Sequence, residues 1–236
     1  HVGVPHWRHR AAVVRQVIPA GAFEVVVAGE QVVLLPERAL WLPAHDALFV
    51  ADLHWGKAAA FRAAHIPVPM GTTSSDLARL SSALHVTAAS HLVVLGDLLH
   101  ARAGRHDETL RTIASWRATH ADLRITLVRG NHDQHAGDPP ADLNIDCTDD
   151  PLRLGAFVGV HEPAVSLDGY VLCGHLHPSV TVRGRGRQSL RLPSFVFGPS
   201  RGVLPAFSSF TGGGMYEQHG DDRLFGIAAD SVVPLN

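Results

Sequence analysis

"HLVVLGD", His91 to Asp97, is an apolar run halted by a glycine and followed at once by a carboxylate. A short run rich in β-branched residues and stopped by glycine reads as a strand, and its flanks set the fold class. Before it, "TTSSDLARLSSALHV" (Thr72 to Val86) carries a capping-box pattern, Thr73 to Asp76, then Leu77, Leu80 and Leu84 at helical spacing. Further back, "ALFVADLH" (Ala47 to His54) is a short strand ending in polar residues. After it, Asp107 to His120 reads as a helix with Leu110, Ile113 and Trp116 on one side. "RITLVRGNHD" (Arg124 to Asp133) is a further strand running into polar residues. This alternation predicts an α/β chain on a mostly parallel sheet with helices packed on it.

Outward from that centre the pattern changes. "FEVVVAGEQVVLLP" (Phe23 to Pro36) reads as a hairpin around Ala-Gly-Glu. The last third holds short strands separated by Gly and Pro, among them "AFVGVHEP", "GYVLCGHLHP", "SLRLPSFVF" and "RLFGIAAD". They predict an additional, largely antiparallel layer. No repeat or composition break divides the chain, so residues 1–236 are expected to form one domain, with 1–22 as an N-terminal tail given no structural weight.

Composition narrows the class. Hydrophobic residues make up 46% and charged residues 18%, a globular balance, and the net charge of -2 argues against a basic field for non-specific nucleic-acid or membrane binding. Cys147 and Cys173 are the only cysteines, too few for a disulfide framework, which suggests a reducing cytoplasm. No apolar run reaches membrane-spanning length. The 17 histidines stand against only 20 lysines and arginines. Histidine is both the commonest metal ligand and the acid-base residue of neutral pH, so their placement decides the function.

They gather at strand ends. The run at 47–51 is followed by Asp52 and His54, and the run at 91–95 by Gly96 and Asp97. The run at 124–129 is followed by Gly130, Asn131, His132 and Asp133. "FVGV" leads to His161, and "YVLC" leads to Gly174, His175 and His177. Alone, each is ordinary: an Asp after a strand is commonly a turn or cap residue, and a lone His is commonly structural. Five strands delivering such groups at one end is a different matter, because ligands of open α/β sheets bind beyond the carboxyl ends of the strands. Asp52, Asp97, Asn131, His54, His161, His175 and His177 form an oxygen and nitrogen set without thiolate, suited to manganese, iron or zinc. Seven donors exceed one tetrahedral ion and suit two ions sharing a carboxylate, about 3.5–4 Å apart, as in metal-assisted hydrolysis.

D-x-H, G-D, G-N-H-D, a later His and G-H-x-H, in this order from Asp52 to His177, resemble the calcineurin-like metallophosphoesterase superfamily. "ADLHWGKAAAFR", "LGDLLH", "GNHDQ", "CGHLHP" and "LPAFSSFTGG" are similar to its ligase-associated DNA damage response endonucleases of the PdeM type. The resemblance implies a four-layer α/β/β/α sandwich with mixed sheets and two divalent metal ions, manganese first. It implies that Asp52, His54 and His177 hold one ion and Asn131, His161 and His175 the other, with Asp97 bridging. His132 would then assist the leaving oxygen, oriented by Asp133. The implied reaction is in-line attack of a metal-bridging hydroxide on a phosphodiester. The implied setting is DNA repair in the cytoplasm, in functional association with a DNA ligase and a helicase. Two positions depart from the pattern: Val160 stands where glycine usually precedes the fourth-motif His, and Gln134 where many members carry a basic residue.

Two other functions remain open on the residues: a phosphodiesterase for small or cyclic nucleotides, and a metal-stabilised nucleic-acid-binding module without turnover. Further candidates for substrate contact are His100, Arg102, Lys57 and Arg62. The stretch Arg183, Arg185, Arg187 and Arg191 reads as a solvated basic turn, and "FTGGG" as a flexible loop.

Overall fold

The computed structural model describes residues 17–68, 71–166, 168–184, 186 and 188–235. Its first sheet has seven strands lying in chain order: β1 (Phe23–Val27), β2 (Glu30–Leu35), β3 (Ala39–Leu42), β4 (Ala47–Val50), β5 (His91–Leu95), β6 (Arg124–Val128) and β7 (Asp146–Thr148). Strands β1 to β4 pair antiparallel and β4 to β7 pair parallel. The parallel half requires crossovers. After β4 the chain passes through α1 (Lys57–Ala63) and α2 (Thr72–Thr87), after β5 through α3 (Asp107–Thr119), and after β6 through α4 (Asn131–Ala136). The sheet is therefore only half parallel. Strand β3, Ala-Leu-Trp-Leu, is too short to stand out in the sequence.

The strand "HLVVL" is buried throughout, which explains its unbroken apolar run. Leu92 and Val94 face the helices, in one cluster with Leu77, Leu80, Ile113 and Trp116. Val93 and Leu95 face the other way, in a cluster shared with Leu172, Phe195, Phe197 and Phe225 of a second sheet. A strand covered on both faces has no polar side to alternate with. At roughly 1.5–3 kcal/mol per fully buried large aliphatic side chain, this double coverage makes β5 an anchor of the fold.

The second sheet contains β8 (Leu152–Leu154), β9 (Phe157–Gly159), β10 (Tyr170–Cys173), β11 (Pro178–Arg183), β12 (Ser189–Phe197), β13 (Arg201–Val203) and β14 (Gly214–Met215). Their order is β14-β11-β12-β13-β10-β9-β8, and β15 (Arg223–Ala228) and β16 (Ser231–Pro234) attach through β12. It is mixed too: β9, β10 and β13 run parallel within it. The chain is thus mixed α/β with two mixed sheets packed face to face. Among the described residues no α-helix follows Ala136. The outer face of the second sheet instead carries a small apolar cluster, Val171, Cys173, Val196, Val203 and Leu224, where the four-layer pattern would place helices.

Local details differ from the sequence reading for identifiable reasons. The N-cap of α2 is Gly71 and no side chain caps it. Asp76 does not close a capping box; it is buried, accepting from Arg79 and from the backbone and hydroxyl of Ser209. Within the stretch read as a tail, Ile18 and Ala22 pack against the core, and the Val232 N–H donates to the Gly21 carbonyl at 2.8 Å. Residues 1–16 lie outside the described residues.

Candidate metal centre

The five strand ends belong to two sheets, not one. From the first sheet, β4 presents Asp52 and His54, β5 presents Asp97, and β6 leads into α4 with Asn131 and His132. From the second, β9 leads to His161 and β10 to His175 and His177. The seam between the sheets brings them together. Carboxylate and imidazole atoms of Asp52, His54 and His177 lie within 4.8 Å of one another, as do those of Asp52, Asp97 and His161. His177 Nε2 is 3.3 Å from Asp52 Oδ1, and His54 Nε2 is 3.8 Å from Asp97 Oδ2. On the other side of Asp97, His161 Nε2 lies 3.4 Å from Oδ1, 3.0 Å from Asn131 Oδ1 and 3.2 Å from His175 Nδ1. The neighbours His175 and His177 therefore point into different groups, separated by Asp97 and Asp52.

These atoms fit cations better than they fit each other. His161 Nδ1–H donates to the Leu95 carbonyl at 3.0 Å, which turns Nε2 toward the oxygens of Asn131 and Asp97. Such a backbone hydrogen bond is the usual way a metal-binding imidazole is oriented. Both ring nitrogens of His54 and Nε2 of His177 are buried without a hydrogen-bond partner. Buried polar atoms seldom go unpaired, and here a divalent ion would satisfy them. Burial first, then Lys57 and the neighbouring imidazoles, push His54 down to about 2, so its ring stays neutral, the form a metal requires.

The backbone is bent to make this geometry. Among the described residues twelve non-glycine positions have left-handed φ, and Asp52, His54, Asp97, His175 and His177 are five of them. Such conformations cost of order 1–3 kcal/mol each and persist where the surroundings impose them, commonly at functional sites. Gly174 gives room for this: a Cβ there would lie 2.6 Å from both Ala51 Cβ and Asp52 Oδ2.

Asp133 does not orient His132. Its carboxylate accepts the backbone N–H groups of Gly130, Asp97, Leu98 and Leu99 at 2.9, 2.8, 3.0 and 3.2 Å. Burial pushes it up and those N–H donors oppose the rise. Four convergent donors leave it no oxygen for an imidazole. His132 is held instead by its Nδ1–H donating to the His100 carbonyl at 2.8 Å, and its ring stacks on His100 with centroids 4.9 Å apart. The sequence carried no signal for this, because a main-chain carbonyl belongs to every residue.

The profile of the calcineurin-like phosphoesterase family matches residues 46–201. That span contains every one of these site residues. The chain belongs to the calcineurin-like phosphoesterases. Among solved structures it is similar to nuclease MPE of Pseudomonas putida, with 41% identity over 91% of this chain and 100% of that one, at a TM-score of 0.80. It also matches Yfce, a phosphoesterase from E. coli, with 16% identity over 79% of this chain and 96% of that one, at a TM-score of 0.41. No curated protein matches it. With this family membership and the metal-competent cluster, the chain is a metal-dependent phosphoesterase.

Of the phosphoesterase's other candidates, Lys57 and His100 lie beside the centre. Lys57 opens α1 near Asp52 and Asp97, with its amine 6.0 Å from the centre of the Phe61 ring; burial lowers its pKa and the two carboxylates oppose that shift. His100 packs edge-on to Phe61 and to His54, and burial with Lys57 lowers it to about 4. Arg62 lies on another side of α1, along a groove with Thr72 and Thr109, and Arg102 is exposed. Val160, in place of the usual glycine, packs into the second sheet's outer cluster, so His161 reaches the site regardless. Gln134 is exposed within α4. In the basic stretch Arg183 is exposed and Arg191 donates to Ser179 and Gly213, while Arg185 and Arg187 lie outside the described residues. No helix of the described residues is long and apolar enough to cross a membrane.

Proposed function

We propose that the chain is a DNA endonuclease, hydrolysing phosphodiesters with two divalent ions, manganese foremost, in DNA repair alongside a ligase and a helicase. The observation that carries the reading is the arrangement around Asp97. Its two oxygens face His161 on one side and His54 and His132 on the other. Support for the substrate comes from the similarity to a nuclease over most of the chain.

Asp52, His54 and His177 would hold one ion, and Asn131, His161 and His175 the other, with Asp97 between them. When bound, the ions would supply Lewis acidity toward the phosphoryl oxygens and a water nucleophile available at neutral pH. The chain's own residues do the rest. Asp52 is fixed by accepting the His175 N–H at 3.0 Å, so the two sheets are tied at the ligand itself. Asp97 is fixed by accepting the His132 N–H at 3.0 Å and by the clasp of Asp133 on its own N–H. His132 Nε2, 3.9 Å from Asp97 Oδ2 on the more open side, is placed to give a proton to the departing oxygen.

The test is addition of divalent ions to stripped protein with supercoiled plasmid, DNA oligonucleotides and a small diester as substrates. Plasmid nicking with manganese is the expected result, and Asp97→Asn should abolish it. Cleavage of small diesters alone would sink the nuclease reading. DNA binding without cleavage of any substrate would sink the enzymatic one.

A further inference from the structure

A cavity of about 130 Å³ opens beside His177, bounded by the β2–β3 turn, the paired β11 and β12, and the 206–213 loop. Arg38 and Arg191 line it, with Ser179 and Thr211 between them, and no carboxylate does. Arg38 donates from one guanidinium nitrogen to the Ala206 and Ser208 carbonyls at 3.3 and 2.8 Å. Arg191 Nε donates to Ser179 Oγ at 2.6 Å, and another of its nitrogens donates to the Gly213 carbonyl. Neither guanidinium hydrogen-bonds an acid among the described residues. Burial and the neighbouring Arg79 lower Arg38 to about 10, and Asp76, outside the cavity lining, opposes that shift. Thr211 Oγ1 is buried with no hydrogen-bond partner.

Two guanidiniums and the unpaired Thr211 hydroxyl, beside a Ser179 hydroxyl that donates to the Gly214 carbonyl and with no carboxylate in the lining, describe a receptor for a tetrahedral anion; arginine is the residue suited to phosphate oxygens. The cavity shares His177 with the candidate metal centre, so the two adjoin at that residue. We propose that this cavity is a phosphate subsite, taking the phosphate that neighbours the scissile one on a nucleic-acid strand. The proposal rests on the nuclease reading. It assigns Arg191 and Arg38 to strand positioning, and it separates Arg191 from the solvated basic turn to which the sequence consigned it.

The experiment uses the metal-loaded protein hydrolysing an aryl phosphodiester, with dinucleotides as competing inhibitors. Each dinucleotide is tested without and with an extra terminal phosphate, at the 5′ or the 3′ end. In the wild type the extra phosphate at one end should tighten inhibition about tenfold, the range of one charge-assisted contact. Arg191→Gln should bring that ratio close to one. Thr211→Val, which removes a hydroxyl that bonds to nothing here, should lower it about twofold, and this second variant guards against a loop merely loosened by loss of Arg191. An equal ratio in wild type and Arg191→Gln overturns the subsite, as does the absence of any ratio in the wild type. Inorganic phosphate is the third arm: if Arg191→Gln weakens its inhibition as much as that of the phosphorylated dinucleotide, the cavity takes free phosphate and the strand assignment fails. Failure of the nuclease reading is seen separately, as dinucleotides and DNA left intact while the aryl diester is hydrolysed; the inhibition ratio still reports on the cavity.

Discussion

The His132 side chain is 36% exposed, against 2% for His54, 4% for His161 and 20% for His177. It is the ring at the mouth of the cluster, and its own hydrogen bond runs to a carbonyl rather than to an acid. In the proposed reaction a group there would meet substrate, whereas the deeper rings would meet ions. His132→Ala should leave metal content unchanged, because the backbone N–H that Asp97 accepts survives the substitution. Turnover on DNA should fall by about 10²–10⁴-fold, the usual contribution of a positioned general acid. Metal analysis alongside single-turnover kinetics checks both halves, and loss of metal would contradict the role.

At the scale of elements, Asp133 ties the loop after β5 to the start of α4. One carboxylate gathers N–H groups from Gly130 before the helix and from three consecutive residues, Asp97 to Leu99. The left-handed turn at Asp97 is thereby held in place without Asp133 touching the reaction. Asn has the same shape, but its amide nitrogen would face N–H groups where an oxygen now accepts. Asp133→Asn should cost about 1–3 kcal/mol of stability, the penalty of leaving buried donors unpaired, and weaken metal binding as Asp97 shifts. Thermal unfolding and metal titration together distinguish it from His132→Ala, which should change neither.

For the whole molecule, the centre sits on the seam between two sheets. The first supplies Asp52, His54, Asp97 and Asn131, the second His161, His175 and His177. Ions bound there would cross-link the sheets, and a ligand that binds only the folded chain stabilises it. At a free metal concentration of 100 times Kd the gain is about 2.7 kcal/mol per site. Manganese should therefore raise the Tm of stripped protein by several degrees and a chelator should reverse the rise. Asp97→Asn should show little response. A wild-type Tm indifferent to manganese would count against a resident centre.

The motifs carried the site because their chemistry is local: a strand that stops at glycine and sets out Asp or His is visible in a few residues. "HLVVLGD", "GNHD" and "GHLH" thus marked residues that the fold brings together, and the helices over 72–87 and 107–119 followed from apolar spacing. What the sequence left undetermined depends on contacts between distant segments. That His132 leans on the His100 carbonyl, that Asp133 clasps main chain, and that Asp76 binds the Ser209 loop are set by backbone groups common to every residue. The division of the candidate ligands between two sheets, and the cavity joining Arg38 to Arg191 across 153 positions, arise from face-to-face packing, which an apolar run buried on both sides permits but does not address to a partner.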